Sequence, residues 1–200
     1  MVQTAMMPRA QYAEAATVPT RRRFTIHDYH RMADAGVLTE DDRVELLDGE
    51  IVEMSPIGSR HAGIVDRLNM LLARRLGRHV IVRVQNPIVL DDYSEPQPDL
   101  TLLRARPDYY VGAHPRPADV LLTIEVMDTS ASYARTLKLP LYARKHVREL
   151  WLVDLPAAAV DVYRRPTTSG YREHQHLPRG RRIAAVAFPR VHFRVAEILG

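Results

Sequence analysis

Hydrophobic positions along this chain follow two different periods. Ile64, Val65, Leu68, Leu71, Leu72 and Leu76 recur every three or four residues, while Arg60, Asp66, Arg67, Arg74 and Arg75 take the positions between them. That spacing predicts an amphipathic helix from about Arg60 to Leu76, closed by Gly77. An earlier helix is predicted from about Ile26 to Ala35: Thr25 and Asp28 have the spacing of an acidic capping box, Phe24 suits the staple position, and Gly36 stands where a C-terminal cap belongs. Between the two helices, Asp48-Gly49 separates Val44-Glu-Leu-Leu47 from Glu50-Ile-Val-Glu-Met54. Asp-Gly between such runs is the strongest short hairpin signal.

After Gly77 the period shortens to that of strands, over His79 to Val84, Ile88 to Leu90 and Leu100 to Leu103. Val120 to Val126 is an almost unbroken apolar run, the composition of a strand covered on both faces, and is expected at the centre of a sheet. A helical stretch is predicted from Ala131 to His146, with Pro140 either starting a helical segment or kinking one. Glu149 to Asp154, Val160 to Tyr163, Tyr171 to His176 and Ile183 to Phe188 read as further strands. Residues 1 to 23 lack clear periodicity and carry Pro8 and Pro19, which suggests a flexible arm before one domain over 24 to 200. The expected fold is α/β, with a mixed, largely antiparallel central sheet flanked by helices.

Composition narrows the chemistry. Two hundred residues with 46% hydrophobic and 26% charged positions suit one globular domain. No apolar run reaches the roughly 20 residues of a membrane span, and no compact signal segment opens the chain, so a cytoplasmic protein without a membrane partner is expected. Cysteine is absent, which excludes thiol nucleophiles, thiolate zinc sites and disulfides. The net charge of +4 divides into +3 over residues 1 to 23, −4 over 24 to 160 and +5 over 161 to 200. Basic ends around an acidic middle could bring phosphates near carboxylates that hold a metal, although a basic tail can equally be a solvated surface. Of 28 basic residues only Lys138 and Lys145 are lysines.

The chain contains no GxxxxGK[ST] loop, no GxGxxG after a strand, no GxSxG elbow and no HExxH pair. It therefore lacks the usual signatures of nucleotide triphosphatases, dinucleotide enzymes, elbow-type serine hydrolases and zincins. His27 with His30, and His174 with His176, have suggestive spacings but no obvious third ligand, and read as surface histidines. The carboxylates stand out. Asp99 follows Pro98 at the entrance to a strand, and Glu125 lies near the end of the most apolar strand in the protein. A lone ionised carboxylate there is costly, so Glu125 needs a partner: an arginine, a metal ion or Lys138. Trp151, Tyr109, Tyr110 and Tyr142 have packing as their simplest explanation.

Taken together, Arg43 to Pro56, Arg60-His61, Glu95-Pro-Gln-Pro-Asp-Leu100, Ile124-Glu-Val126, Lys138-Leu-Pro-Leu-Tyr-Ala143 and Glu149-Leu-Trp-Leu-Val-Asp154 resemble the Uma-type putative restriction endonuclease family, a branch of the PD-(D/E)xK nuclease superfamily. The resemblance runs in consistent order over about residues 24 to 195. It implies a restriction-endonuclease-like core and a catalytic set of Asp99, Glu125 and Lys138, with Glu45 and His61 as further candidates. Two positions depart from the pattern. The superfamily lysine commonly stands two residues after the second acid, where this chain has Met127, and many relatives carry an acid at the position of Ala134.

The implied chemistry is metal-dependent hydrolysis of DNA phosphodiester bonds. Paired carboxylates suit Mg²⁺ or Mn²⁺, with Asp99, Glu125 and the Val126 carbonyl as expected ligands. Lys138 would position the attacking water or stabilise developing charge, Glu45 could aid a second metal, and His61 could contact phosphate or carry a proton. Cutting both strands of a duplex suggests a homodimer. The alternatives are a nuclease-fold binding or regulatory module with weak or no hydrolysis, and a nuclease acting on RNA or on structured DNA.

Overall fold

The computed structural model describes residues 21–39, 41–128 and 133–200. Its centre is a six-stranded sheet in the order β3-β4-β5-β6-β7-β8. The strands are β3 (Val80–Val84), β4 (Leu100–Arg104), β5 (Val120–Met127), β6 (Glu149–Asp154), β7 (Ala159–Thr167) and β8 (Gly170–Pro178). All pairings are antiparallel except β5 with β6. The apolar run becomes β5, buried along all eight residues and flanked on both sides. A parallel neighbour needs a crossover connection, and the chain between β5 and β6 supplies one that ends in a helical segment.

One sheet face packs against α2 (Ser59–Leu76) through Ile64, Val65, Leu68, Leu72 and Leu76, the stripe that the helical spacing marks out. The same face receives Phe193, Val195 and Ile198 from β10 (Phe193–Arg194) and α4 (Val195–Leu199). Trp151 is fully buried there, edge-on to Phe193, and donates to Glu149 Oε1. The opposite face carries Leu103, Met127, Leu150 and Leu152. Leu141, Tyr142 and Val147 cover it after the crossover, together with Leu47 of a separate hairpin. That hairpin joins β1 (Val44–Leu47) to β2 (Glu50–Glu53). Asp48 and Gly49 both adopt positive φ, as a two-residue type I′ turn requires. Gly49 is also required by space, since a Cβ there would lie 2.6 Å from Arg23 Cβ.

The first helix, α1 (Ile26–Asp34), has both halves of its capping box: Thr25 Oγ1 accepts from the Asp28 N–H, and the Asp28 carboxylate accepts from the Thr25 N–H. Residues 1–20 of the expected arm lie outside the described residues. Arg21 and Arg23 pair with Glu50 and Asp48 of the hairpin.

Three expected elements differ. Ile88 to Leu90 is not a strand, because its N–H groups bond in turn to Pro96, Pro115 and Ser94 carbonyls and no single ladder forms. Of the 183 to 188 run only Ile183 is paired, within β9 (Arg182–Ile183) against β10. The stretch expected as helix from Ala131 divides, its first two residues lying outside the described ones. Ala134–Lys138 is a π-helical turn, followed by α3 (Leu139–Arg144). The Leu139 N–H bonds five residues back, to Ala134, so that one extra residue is accommodated immediately before Pro140, which has no N–H with which to continue the helical ladder.

Candidate active site

Sheet register sets the two acids. In the β4–β5 ladder Leu100 pairs with Ile124 and Thr101 with Thr123. One step further brings Asp99 opposite Glu125. Leu100, Leu102, Ile124 and Val126 pack on the α2 face. By alternation, the side chains of Asp99 and Glu125 take the other face together. Asp99 is clamped at this strand entrance. Its Oδ2 accepts from the Val126 N–H at 2.8 Å, and its Oδ1 lies 2.9 Å from His61 Nε2. Gln85 Nε2 approaches Oδ1 at 3.4 Å, and the Gln85 N–H bonds the Asp99 carbonyl. His61 stands in the first turn of α2, directed at Asp99 across the end of the sheet.

Lys138 reaches the site from the π turn. Its Nζ lies 3.2 Å from Glu125 Oε1, 3.2 Å from Glu45 Oε1 and 3.3 Å from the Gln97 carbonyl oxygen. The partner that Glu125 requires is therefore Lys138 rather than an arginine. Glu45 is wholly buried on β1, and its Oε2 accepts from the Gln97 N–H at 2.8 Å. All five predicted side chains, Glu45, His61, Asp99, Glu125 and Lys138, line one cleft of about 670 Å³, joined by Val126, Arg43, Gln85 and Tyr133. Of the two departures, Met127 is buried in the apolar cluster, and Ala134 lines the cleft, where it brings no carboxylate.

Two hydroxyls complete the network. Tyr142 donates to Glu125 Oε1 at 2.6 Å and Tyr133 donates to Glu45 Oε1 at 2.5 Å. Packing alone does not account for Tyr142. The signal was available in the spacing: Tyr142 is four residues after Lys138 and so shares its helix face. Tyr133 is five residues before Lys138, one π turn away, and Lys138 Nζ lies 5.7 Å from its ring centroid. That pairing depends on the π register, which periodicity does not announce.

The electrostatics follow from burial and charge. Burial pushes Glu125 up to about 7, reinforced by Asp99 and Glu45 and opposed by Lys138 and the Tyr142 hydroxyl. Burial alone would lower the Lys138 ammonium, but Glu125, Glu45 and Asp99 outweigh it and hold it above the ordinary lysine value. Lys138 therefore stays charged. The hydrogen bond to Asp99 raises His61, against a smaller effect of burial. Tyr142 is raised well above an ordinary phenol by burial and by the neighbouring acids, so it remains a donor.

The donor set is of the right chemistry for a hard divalent cation: carboxylate oxygens of Asp99 and Glu125, beside the Val126 main chain, without soft ligands. Among the described residues, no group of three or more His, Asp or Glu side chains is arranged to hold an ion unaided. Two carboxylates, a carbonyl and waters are thus the fitting composition, as is usual for Mg²⁺.

Residues 26–196 match the Uma2 family, described as "putative restriction endonuclease". The chain belongs to this family. A structural neighbour of the Uma2 chain is the crystal structure of a putative nuclease of the DUF820 group from Anabaena variabilis, with a TM-score of 0.67 and 16% sequence identity. The match covers 88% of this chain and 97% of that one. At such identity the likeness speaks to fold alone. A search of curated proteins gives no match. Among the described residues, no helix is long and apolar enough to cross a membrane.

Proposed function

We propose that this Uma2 chain is a metal-dependent endonuclease that hydrolyses DNA phosphodiester bonds, with Asp99, Glu125 and Lys138 as its catalytic set. The observation that carries the reading is the convergence of an inward-facing ammonium with three carboxylates in one cleft, on a fold shared with a protein described as a putative nuclease. Asp99 and Glu125, with the Val126 carbonyl, are the residues that would hold Mg²⁺ or Mn²⁺. When bound, such a cation supplies neutralisation of phosphate charge and a more acidic water.

The remaining work belongs to the chain. Lys138 is kept charged by its acidic neighbours, and it orients the attacking water and stabilises negative charge at the phosphoryl oxygens. Glu125 is held by Tyr142 and Lys138 in one orientation at the cleft floor. His61, whose proton affinity is raised by Asp99, is placed to carry a proton at the cleft edge. Glu45 fixes the lysine from the opposite side and is a candidate for a second ion. A homodimer acting on both strands of a duplex is part of the same proposal.

A second reading, a nuclease-fold binding module with weak hydrolysis, draws on the position two residues after Glu125. There Met127 is fully buried and offers no charge. One experiment separates the readings. Purified protein is incubated with supercoiled, linear and single-stranded DNA and with RNA, each with Mg²⁺, Mn²⁺ or EDTA. Cleavage of DNA with either metal and none in EDTA is expected. Binding without cleavage under every condition would select the module, and cleavage restricted to RNA would overturn the choice of DNA.

A further inference from the structure

The turn after β4 contains a conformation that bulky residues rarely adopt. Tyr109 and Tyr110 are consecutive and both have positive φ, at 48° and 60°. The two side chains then diverge. Tyr110 is buried, its hydroxyl donates to the Arg104 carbonyl, and its ring is approached by Arg106 at 4.4 Å and Arg83 at 5.5 Å. Tyr109 contributes its backbone: its carbonyl accepts from Arg83 and its N–H donates to the Arg106 carbonyl. Tyr109 is 67% exposed, and Val111 beside it is 89% exposed. The turn is thus braced from within while presenting an aromatic ring and an apolar side chain outward. Local packing explains Tyr110 but leaves the Tyr109 ring unused.

The place of this turn matters. Val82 and Val84 pack on the α2 face of the sheet, whereas Ile81 packs on the other face, so by alternation Arg83 belongs to the face that carries Asp99 and Glu125. Arg83 is two residues before Gln85, which lines the cleft, while the turn itself begins at Arg104, opposite Val80 at the other end of β3. The surroundings are basic: Arg83, Arg104, Arg106 and Arg116 stand against Asp108 and Asp119. Tyr110 and Arg83 thereby hold the Tyr109 turn along the β3 edge of the sheet, whose other end opens on the cleft. Arg106 is paired to Asp108, and Arg83 and Arg104 remain, among the described residues, as the cations of the turn without an acid partner. An exposed ring among arginines is the chemistry that stacks on a nucleobase and neutralises phosphate.

We propose that Tyr109, supported by Arg83, is a contact for the nucleic-acid strand beyond the cleft, where it runs along the β3 edge of the sheet, stacking on a base outside the scissile position. This rests on the nuclease reading above and adds a binding residue outside the catalytic set. The test uses the full chain and fluorescently labelled DNA in two lengths, one spanning the cleft alone and one long enough to pass the turn. Anisotropy gives affinity, and cleavage with Mg²⁺ gives rate. Tyr109→Asn keeps a side chain tolerant of positive φ, and Tyr109→Phe keeps the ring. The expected result is about tenfold weaker binding of the long DNA by Tyr109→Asn, near wild-type binding by Tyr109→Phe, and no change for either on the short DNA. Equal affinity of Tyr109→Asn and wild type for long DNA that the wild type cleaves would overturn the stacking role and leave the nuclease reading intact. A change in oligomeric mass without a change in DNA affinity would overturn it in favour of a contact between copies of the chain. Wild-type protein that neither binds nor cleaves either DNA would overturn the nuclease reading itself, and this inference with it.

Discussion

Replacing Lys138 by alanine removes the only ammonium from a pocket that holds Glu45, fully buried, and Glu125, 5% exposed. Each lysine–carboxylate contact at 3.2 Å is worth about 5 kcal/mol at an effective dielectric of about 20. Desolvating the ammonium offsets several kcal/mol of the pair. Breaking a buried pair by deleting one partner typically costs about 3–5 kcal/mol, because the remaining charge is stranded, and Lys138→Ala is expected to lose that much at pH 8.5. The loss depends on pH in a definite direction. Glu125 has a folded-state pKa above its unfolded value, and without the lysine it rises further. Its stability contribution is therefore greatest at low pH and declines as pH rises through the folded value. The deficit of Lys138→Ala should accordingly shrink toward pH 5, where the folded protein can protonate Glu125. Urea denaturation at pH 5, 7 and 8.5 measures this directly. A deficit under about 1 kcal/mol at pH 8.5, or one that does not change with pH, would refute the reasoning that Lys138 compensates a buried acid pair.

Glu125→Gln gives a complementary measurement. In the wild type, stability should fall as pH rises from 4.5 to about 7, the interval between the ordinary and folded values of Glu125, and level off above it. The fall relative to Glu125→Gln is on the order of 3 kcal/mol, and parallel stability–pH curves for the two proteins would contradict it. Tyr142→Phe removes a 2.6 Å hydroxyl donor from Glu125 and should cost about 1.5–3 kcal/mol near pH 8, read as a shift in urea midpoint with unchanged slope; no shift would mean that the hydroxyl does not engage an ionised acid.

Much of the fold was legible because the strongest local patterns agree with the tertiary environment. The α2 stripe, the Asp48-Gly49 turn and the unbroken apolar run of β5 each encode burial directly, and each forms where expected. Ile88 to Leu90 misled because a short apolar run states that it is buried, and not which partner its backbone will find. In the candidate site, local pattern reached Glu125 and its need for a partner, because an acid at the end of a fully buried strand demands compensation; its grouping with Asp99, Lys138, Glu45 and His61 came from the family resemblance. The register placing Asp99 opposite Glu125 was not available from local pattern, nor was the distance Lys138 had to cover. The π turn that aligns Tyr133, Lys138 and Tyr142 stands just before Pro140, so the interruption was visible in the proline but the π register was not. His174 and His176 show the limit of spacing alone. Both are exposed, as surface histidines should be, yet both converge on Asp161 Oδ1, whose other oxygen is held by Arg135 of the same π turn. Sequence distance concealed that cluster.

The central claim is that Asp99, Glu125 and Lys138 act as one hydrolytic site. Single-turnover cleavage of a labelled DNA duplex in Mg²⁺, comparing wild type with Asp99→Asn and Lys138→Gln at matched folded fraction, tests it most directly. Each substitution should slow cleavage by at least about 10²-fold, the scale on which a single charge-stabilising group contributes to such a reaction. Wild-type rates in both variants would show that cleavage arises elsewhere in the protein.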